Sequence, residues 1–319
     1  MIYRQDSLRL EAVAITALIL FLPAVNLGMV WLQFFVPLPA FYYLSRYGFR
    51  NGSNIIAAAV FVAGAITTFL GSFPGLFLSI AMLPAGFVLA MSLKKELTPV
   101  QTGTNVTITL MAGWFIWAII YGAIENINPY QELLESLDQG LVATLEMYSK
   151  TKKLSPTELA EIETAFKELR LLFPKMFPGM LLSTLLSTAC LNMIIGQWLM
   201  TRQAIPSPWR RFSEWRLPEN LVIFVIANGL FFILPVNVLN IAGLNLVFIL
   251  GTLYFFQGLA VLTSLLARWL VPQPLKALIY FMIIIQASGV ILLAITGLID
   301  VWVDFRKPKP KKDQDNYSL

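Results

Sequence analysis

A helix face that carries hydrogen-bonding groups lies within one of the longest apolar stretches of this sequence. Apart from its two ends, the stretch Leu217–Leu270 carries no charge. Its polar face follows i, i+3, i+7 spacing, which places the side chains on one side of a helix. The members of this face are Tyr254, Gln257, Val261, Ser264 and Arg268. An unpaired polar group in hydrocarbon is costly, so this face must meet other helices or a wet cavity. Two interpretations stay open: hydrogen bonds between helices, or a surface that binds a solute.

Five polar residues inside predicted helices form the candidate ligand-binding set. They are Asn192, Asn228, Tyr254, Gln257 and Gln286. Amide and phenol groups both donate and accept hydrogen bonds, which suits a small, mostly uncharged solute. Asn192 belongs to a second polar face, on which Thr184, Thr188 and Asn192 recur every four residues.

Residues needed for most other chemistry are missing from the sequence. It contains no histidine, which removes the usual general base and the commonest metal ligand. The single cysteine, Cys190, lies in an apolar segment and allows no intrachain disulfide. Neither a serine-hydrolase motif nor a double-aspartate helix is present, so the sequence predicts no enzyme, no metal site and no cofactor. The apolar segments hold almost no titratable groups, which argues against a proton-coupled pump.

Composition places the chain in the lipid bilayer. Of its 319 residues 57% are apolar and only 13% are charged, and the mean hydropathy is +0.72. A soluble domain of this size has about 25% charged residues. The net charge of +5 is concentrated in short loops and the C-terminal tail. This distribution predicts membrane orientation and argues against nucleic-acid binding.

Apolar segments predict an all-α polytopic bundle of about eight to nine transmembrane helices, because one crossing needs about 20 residues. The candidates are residues 10–27, 31–43, 53–71, 74–93, 104–124, 176–200 and 275–301, with two further helices inside 217–270. Pro235 and the nearby asparagines predict the turn between those two helices. Pro37 and Pro39 predict that the second segment is kinked or partly unwound. An ordinary proline kink and a broken helix that lines a site are both open for it.

Residues 125–175 have the pattern of an amphipathic helical hairpin outside the bilayer core. Leucines at 134, 137, 141 and 145 share one face, and acidic residues lie between them. Ser155, Pro156 and Glu158 predict the start of the second helix. The carboxylates are interpreted as a solvated face. The resulting division is N-terminal membrane helices 1–124, hairpin 125–175, C-terminal membrane helices 176–305 and a disordered basic tail 306–319.

Positive charges predict a cytoplasmic N-terminus and an external hairpin. Beyond residue 217 this rule contradicts itself. Arg268 and Lys276 favour a cytoplasmic loop, and so do the basic residues from Arg306 onward. One span cannot separate two loops on the same side. Either the C-terminus is outside, or one late segment is re-entrant or split, and the side of the C-terminus stays open.

Four segments carry a resemblance to a known family. They are Trp215–Glu219, Tyr254–Val261 and Gly297–Lys307, together with the Pro37–Pro39 segment that ends at Gly48. In this order they resemble the YybS-like family of bacterial membrane proteins, a family without an established activity. That family is distantly similar to the substrate-binding (S) subunits of energy-coupling-factor vitamin transporters. The resemblance implies a bacterial inner membrane location and docking on a membrane partner that carries ATPases. This chain departs from those subunits by its extra spans and its hairpin.

Two functions are therefore expected to compete. The first is a small-solute-binding or transport subunit that a partner energises. The second is a non-catalytic scaffold that organises other membrane or envelope proteins, because the predicted hairpin and basic loops offer docking surfaces. Bound small molecules in the purified protein would favour the first, and a stable protein complex without ligand would favour the second.

Overall fold

Helices make up all the regular structure in the part of the chain that the computed structural model describes, residues 2–71, 73–150 and 155–307. The elements are α1 (Ile2–Val25), a 3₁₀ helix (Leu27–Phe35), α2 (Pro37–Phe69), α3 (Phe73–Lys94), α4 (Pro99–Glu125), α5 (Pro129–Lys150), α6 (Pro156–Arg202), a short 3₁₀ turn (Phe212–Glu214), α7 (Leu221–Ile233), α8 (Asn237–Arg268), α9 (Gln273–Ile285) and α10 (Ala287–Val303). A helix satisfies its backbone hydrogen bonds internally, as a lipid environment requires. The predicted all-α fold class is confirmed. The chain forms two compact units, Met1–Trp209 and Arg210–Leu319.

Five helical stretches are long and apolar enough to cross a membrane, judged by length and composition over the described residues. They are Leu27–Phe69, Gly75–Lys94, Pro99–Glu125, Thr157–Arg202 and Asn237–Arg268. The α9–α10 pair is bent by 103° and would be a sixth span if it crosses as one unit. The eight to nine predicted spans are thus not confirmed. One reason is length: α7 and α9 have 13 residues each, about 20 Å of helix, against a hydrocarbon core of about 30 Å.

The irregular backbone predicted around Pro37 and Pro39 is present in the first unit, but it lies before and after the prolines. Both prolines stand in the first turn of α2, where no intrahelical N–H bond is lost. The chain before them is a 3₁₀ helix, and the sharp break comes at Gly48, whose φ of 79° suits glycine. The chain on the two sides of this break is in close contact. A Cβ on Gly52 would lie only 2.8 Å from Leu44 Cα.

The predicted hairpin segment contains α5 and the first half of α6. Ser155 caps α6 as predicted: the Glu158 N–H donates to Ser155 Oγ (3.3 Å), and the Ser155 N–H donates to Glu158 Oε2 (2.7 Å). Asp138 of α5 pairs with Arg170 of α6 at 2.5 Å. However, α6 does not end near residue 175 but continues to Arg202, so that the whole helix has 47 residues, about 70 Å. Part of α6 therefore extends beyond any single crossing, while the external hairpin itself stays a prediction.

The second unit consists of α7 to α10. As predicted, the 217–270 stretch is interrupted near Pro235, between the end of α7 at Ile233 and the start of α8 at Asn237. α10 packs closely on α8, and α9 meets α10 at the bend beside Gln286. Residues 308–319, which make up most of the predicted basic tail 306–319, lie outside the described residues.

The C-terminal ends of α8 and α10 lie close together. This matters for orientation, because the basic residues after both helices favour the cytoplasmic side. Arg268 Nη2 donates to the carbonyl oxygens of Arg306 (2.8 Å) and Lys307 (3.3 Å). The chain that leaves α8 therefore meets the chain that leaves α10. A re-entrant α9–α10 pair that returns to its starting side satisfies the charge rule for both loops.

We expect single cysteines at Gln273 and Lys307, in a Cys190→Ala background, to react identically with an impermeant maleimide. Both residues are exposed. If the positive charges set the side, both should react only after cell lysis. A cysteine at Ser136 in the predicted external hairpin provides the opposite control, with labelling in intact cells. Labelling of Gln273→Cys and Lys307→Cys from opposite sides would show that the α9–α10 pair crosses the membrane.

Candidate functional site

The polar face of α8 meets α10 at Gln257. This side chain is buried, and its Nε2 donates to Gly297 O (2.9 Å) and Asp300 Oδ2 (3.3 Å). Its Oε1 accepts from the Leu217 N–H at 3.0 Å. The amide thus bridges two helices and the segment before α7. Of the two interpretations of this polar face, these contacts favour hydrogen bonding between helices at Gln257.

A buried ion pair lies next to Gln257. Asp300 Oδ2 and Arg306 Nη2 are 2.5 Å apart, and their side chains are only 2% and 6% exposed. Further bonds support the pair: the Phe305 N–H donates to Asp300 Oδ1 (3.1 Å), and Arg306 Nη1 donates to Trp215 O (2.7 Å). A buried pair tolerates the loss of water only when such additional bonds are present.

This pair was missed by the sequence analysis, which placed Arg306 in a disordered tail. The left-handed conformation of Asp304 (φ 47°) ends α10 and reverses the chain, so that Arg306 reaches back to Asp300. One feature of the sequence could have predicted this pair. A carboxylate at the end of an apolar segment needs a nearby cation, and Arg306 is the first one that follows.

A second ion pair, between Arg216 and Asp304, joins the same region at 2.7 Å. Burial by itself would raise the pKa of Asp304. The hydrogen bond and charge of Arg216, together with the charge of Lys307, have the opposite and larger effect, so the pKa lies below its usual value. The folded state therefore favours the charged carboxylate. Its contribution to stability is present above about pH 4, the range of an unperturbed aspartate. It is lost as the pH falls through the lowered pKa.

Beside these pairs lies a cleft of about 430 Å³ in the second unit. It is lined by Arg210, Ser213, Glu214, Arg216, Ser264 and Arg306. Ser264 belongs to the polar face identified in the sequence, one full turn before Arg268. Arginines and hydroxyl groups donate hydrogen bonds, so the cleft mainly offers donors.

The structure does not gather the five predicted ligand-binding residues into one place. Asn192 belongs to the first unit. In the second unit, Asn228 lies beside Gly243, about 20 Å along α8 from Gln257. Gln286 is exposed at the bend between α9 and α10. Tyr254 and Asn228 are buried, and no described residue forms a hydrogen bond with the Tyr254 hydroxyl or with Asn228 Oδ1.

Asn192 lies at the broken segment of the first unit. Its side chain is fully buried, and Nδ2 donates to Phe34 O in the 3₁₀ helix (2.6 Å) and to Thr188 O (2.7 Å). Within residues 2–71, 73–150 and 155–307, its Oδ1 has no partner, and neither does Oγ1 of Thr102, which is also fully buried. α4 and α6 approach each other one residue further on, where a Cβ on Gly103 would lie 3.8 Å from Met193 Sδ.

A family model described as "Predicted membrane protein (DUF2232)" matches residues 12–301. The chain belongs to this family. A search of curated proteins and a search of solved structures each found no match.

As a member of the DUF2232 family, the chain is a multi-pass helical membrane protein, which confirms the class predicted from composition. Three segments that carried the sequence resemblance meet in one polar cluster of the second unit. Trp215, Gln257 and Asp300 represent the three segments in that cluster. Among the described residues, no group of three acidic, histidine or cysteine side chains could hold a metal ion.

Proposed function

We propose that this DUF2232 protein is a small-solute-binding or transport subunit of a membrane system, energised by a partner. The resemblance to the YybS-like family, and through it to S subunits of vitamin transporters, supports this proposal. We further propose a bacterial inner membrane location with a cytoplasmic N-terminus, since the early basic loops favour that orientation.

The observation that carries the proposal is the unpaired amide oxygen of Asn192. It is fully buried and has no hydrogen-bond partner in the described part of the chain. Such a group loses its bonds to water on burial, at a cost of about 1–3 kcal/mol, unless another donor replaces them. A solute with an N–H or O–H group provides that donor. The Thr102 hydroxyl, also buried and unpaired, offers a second group of the same kind.

The backbone next to Asn192 supports a binding role. In membrane transporters, irregular helices expose carbonyl groups at the substrate site, which regular helices cannot do. Here the 3₁₀ helix precedes α2, and Asn192 binds the Phe34 carbonyl at their junction. Asn192 therefore holds the irregular segment with its nitrogen while its oxygen stays available.

A partner is proposed because the sequence offers no energy source of its own. It contains no phosphate-binding loop of the Walker A type. Asp300, a buried carboxylate, is held in an ion pair instead of a proton relay. Purified alone, the chain should bind solute without accumulating it in liposomes.

Thr102→Val tests the site, because valine keeps the shape of threonine and removes the hydroxyl. Native mass spectrometry of the detergent-purified wild type should show a bound small molecule. Loss of one hydrogen bond should weaken its binding by roughly 5- to 150-fold, the equivalent of about 1–3 kcal/mol. The thermal midpoint without solute should stay within a few degrees of wild type.

Thr67→Val is the matched control. Thr67 is fully buried as well, but its hydroxyl donates to Ala63 O of its own helix at 2.9 Å. This variant should retain the bound mass. Equal loss from both variants would assign the effect to packing, and a wild type that never carries a small molecule would refute the solute-binding proposal.

The scaffold function remains the second candidate, and the length of α6 favours it. A helix of 47 residues extends beyond one crossing, and its first half pairs with α5 through Asp138 and Arg170. Charged helices next to a membrane offer a docking surface for other proteins. Purification of a stable complex whose subunits carry no small molecule would favour the scaffold over the solute-binding subunit.

A further inference from the structure

We infer that the cleft beside α8 and α10 binds a phosphate-bearing anion. This site is separate from the proposed solute site at Asn192, so the inference goes beyond the proposed function. Three arginines and one glutamate line the cleft with two serines. Guanidinium groups match the geometry of phosphate oxygens, and serine hydroxyls add neutral donors.

Two of the three arginines of the cleft, Arg216 and Arg306, are held in place before any ligand arrives. Asp304 binds Arg216 through a single nitrogen, Nη2, at 2.7 Å. Asp300 and the Trp215 carbonyl fix the two terminal nitrogens of Arg306. Binding an anion to pre-oriented donors costs less conformational entropy than binding it to mobile side chains.

Arg306 supplies a second observation that indicates a ligand. Its side chain is only 6% exposed, yet its Nε–H has no acceptor among the residues that the structure describes. A buried guanidinium donor without an acceptor is unfavourable, and charged groups incur the larger penalty. Because Arg306 lines the cleft, an anion oxygen is the acceptor that this donor lacks.

Two exposed tryptophans near the cleft favour a position at the level of lipid headgroups. Trp269 follows α8 and Trp302 lies in the last turn of α10, with 64% and 65% of their surfaces exposed. Exposed tryptophans at helix ends are typical of the membrane–water interface. A phospholipid headgroup and free phosphate in solution share the required chemistry, so the experiment must separate these two sources.

Arg216→Gln and Arg211→Gln form a matched pair for this test. Both remove one positive charge from the same loop, but only Arg216 lines the cleft, and Arg211 is exposed outside it. Native mass spectrometry should show wild type retaining phosphatidylglycerol over phosphatidylcholine. Arg216→Gln should reduce that retention about tenfold or more, since a charge-assisted hydrogen bond is lost. Arg211→Gln should retain the lipid as wild type does.

Ser264→Ala is a second variant of the cleft, for the case in which Arg216→Gln fails to fold. It removes one hydroxyl that lines the cleft and leaves the ion pairs intact. It should weaken retention about threefold to tenfold with an unchanged thermal midpoint. In a second arm, inorganic phosphate is added in a zwitterionic detergent. Stabilisation by phosphate that Arg216→Gln abolishes would identify a soluble source, and retention of phosphatidylglycerol alone would identify the headgroup.

Two results would overturn the inference. The first is equal loss of both probes in Arg216→Gln and Arg211→Gln, which would indicate a general charge effect. The second is binding of neither probe by wild type. Since none of these variants touches Asn192 or Thr102, failure here leaves the solute-binding proposal to its own test.

Discussion

Replacing Asp300 with asparagine is expected to lower the free energy of unfolding by ~3–5 kcal/mol. The reason is the state in which it leaves Arg306. That guanidinium is 6% exposed and has Asp300 as its carboxylate partner, so the variant buries an uncompensated charge. Neutral asparagine also weakens the bonds from Gln257 and the Phe305 N–H. Reversible unfolding in mixed micelles is the measurement.

Asp304→Asn is the control for this prediction. It lies four residues further along the same helix end and pairs with Arg216, whose side chain is 55% exposed. An exposed pair of this kind contributes about 0–1 kcal/mol, and asparagine tolerates the left-handed backbone of this position. A similar loss from both variants would show that position on α10, and not burial of the ion pair, determines the effect.

The double variant Asp300→Leu/Arg306→Leu separates the charge from the shape of the site. Removing both charges leaves no buried ion, so the loss should be smaller than that of Asp300→Asn alone. Some loss should remain, because the Trp215 and Ser213 carbonyls would lose their donor. A double variant that is less stable than the single one would refute the account of an uncompensated charge.

Local pattern was enough to predict the burial of the polar face on α8, but not its partners. Tyr254, Gln257 and Val261 are buried as their spacing indicates. Their neighbour Asp300 is 43 residues beyond Gln257 in the sequence. Helical periodicity contains no information on contacts at that separation. The contact forms because α10, which begins after the bend at Gln286, packs on α8, and a glutamine does not predict such a bend.

The backbone at proline and glycine could also be predicted only in part. Two prolines predicted an irregular backbone near residue 37, because proline inside a helix loses a bond, but both stand in the first turn of α2 and lose none. The actual break lies at Gly48, since glycine alone adopts its φ of 79° at little cost. The five polar candidates were chosen because they lie in apolar segments, which predicts burial; four are buried, and Gln286 is exposed at the bend. Their common location in one site depends on tertiary packing, and the structure separates them.

Close approach of α8 and α10 yields the second large effect. The backbones meet where Gly258 faces Leu293 and where Gly297 faces Tyr254. A Cβ on Gly297 would overlap the Tyr254 carbonyl oxygen and lie 2.6 Å from the Gly258 nitrogen. These partners are backbone atoms, so no side chain can rotate away. The two helices must separate, and the bonds from Gln257 to Gly297 and Asp300 must lengthen with them.

Gly297→Ala should therefore lower the free energy of unfolding by about 1–3 kcal/mol, despite the gain in helix propensity of about 1 kcal/mol. Gly251→Ala is the control on α8, because a Cβ there would meet no atom within 4 Å. The control should be neutral or stabilised by up to ~1 kcal/mol, so the two alanines are expected to have opposite signs. Measuring both in the same micelles cancels the detergent contribution. If Gly297→Ala is as stable as Gly251→Ala, the helices are not in backbone contact, and the hydrogen bonds of Gln257 cannot be those that hold α8 to α10.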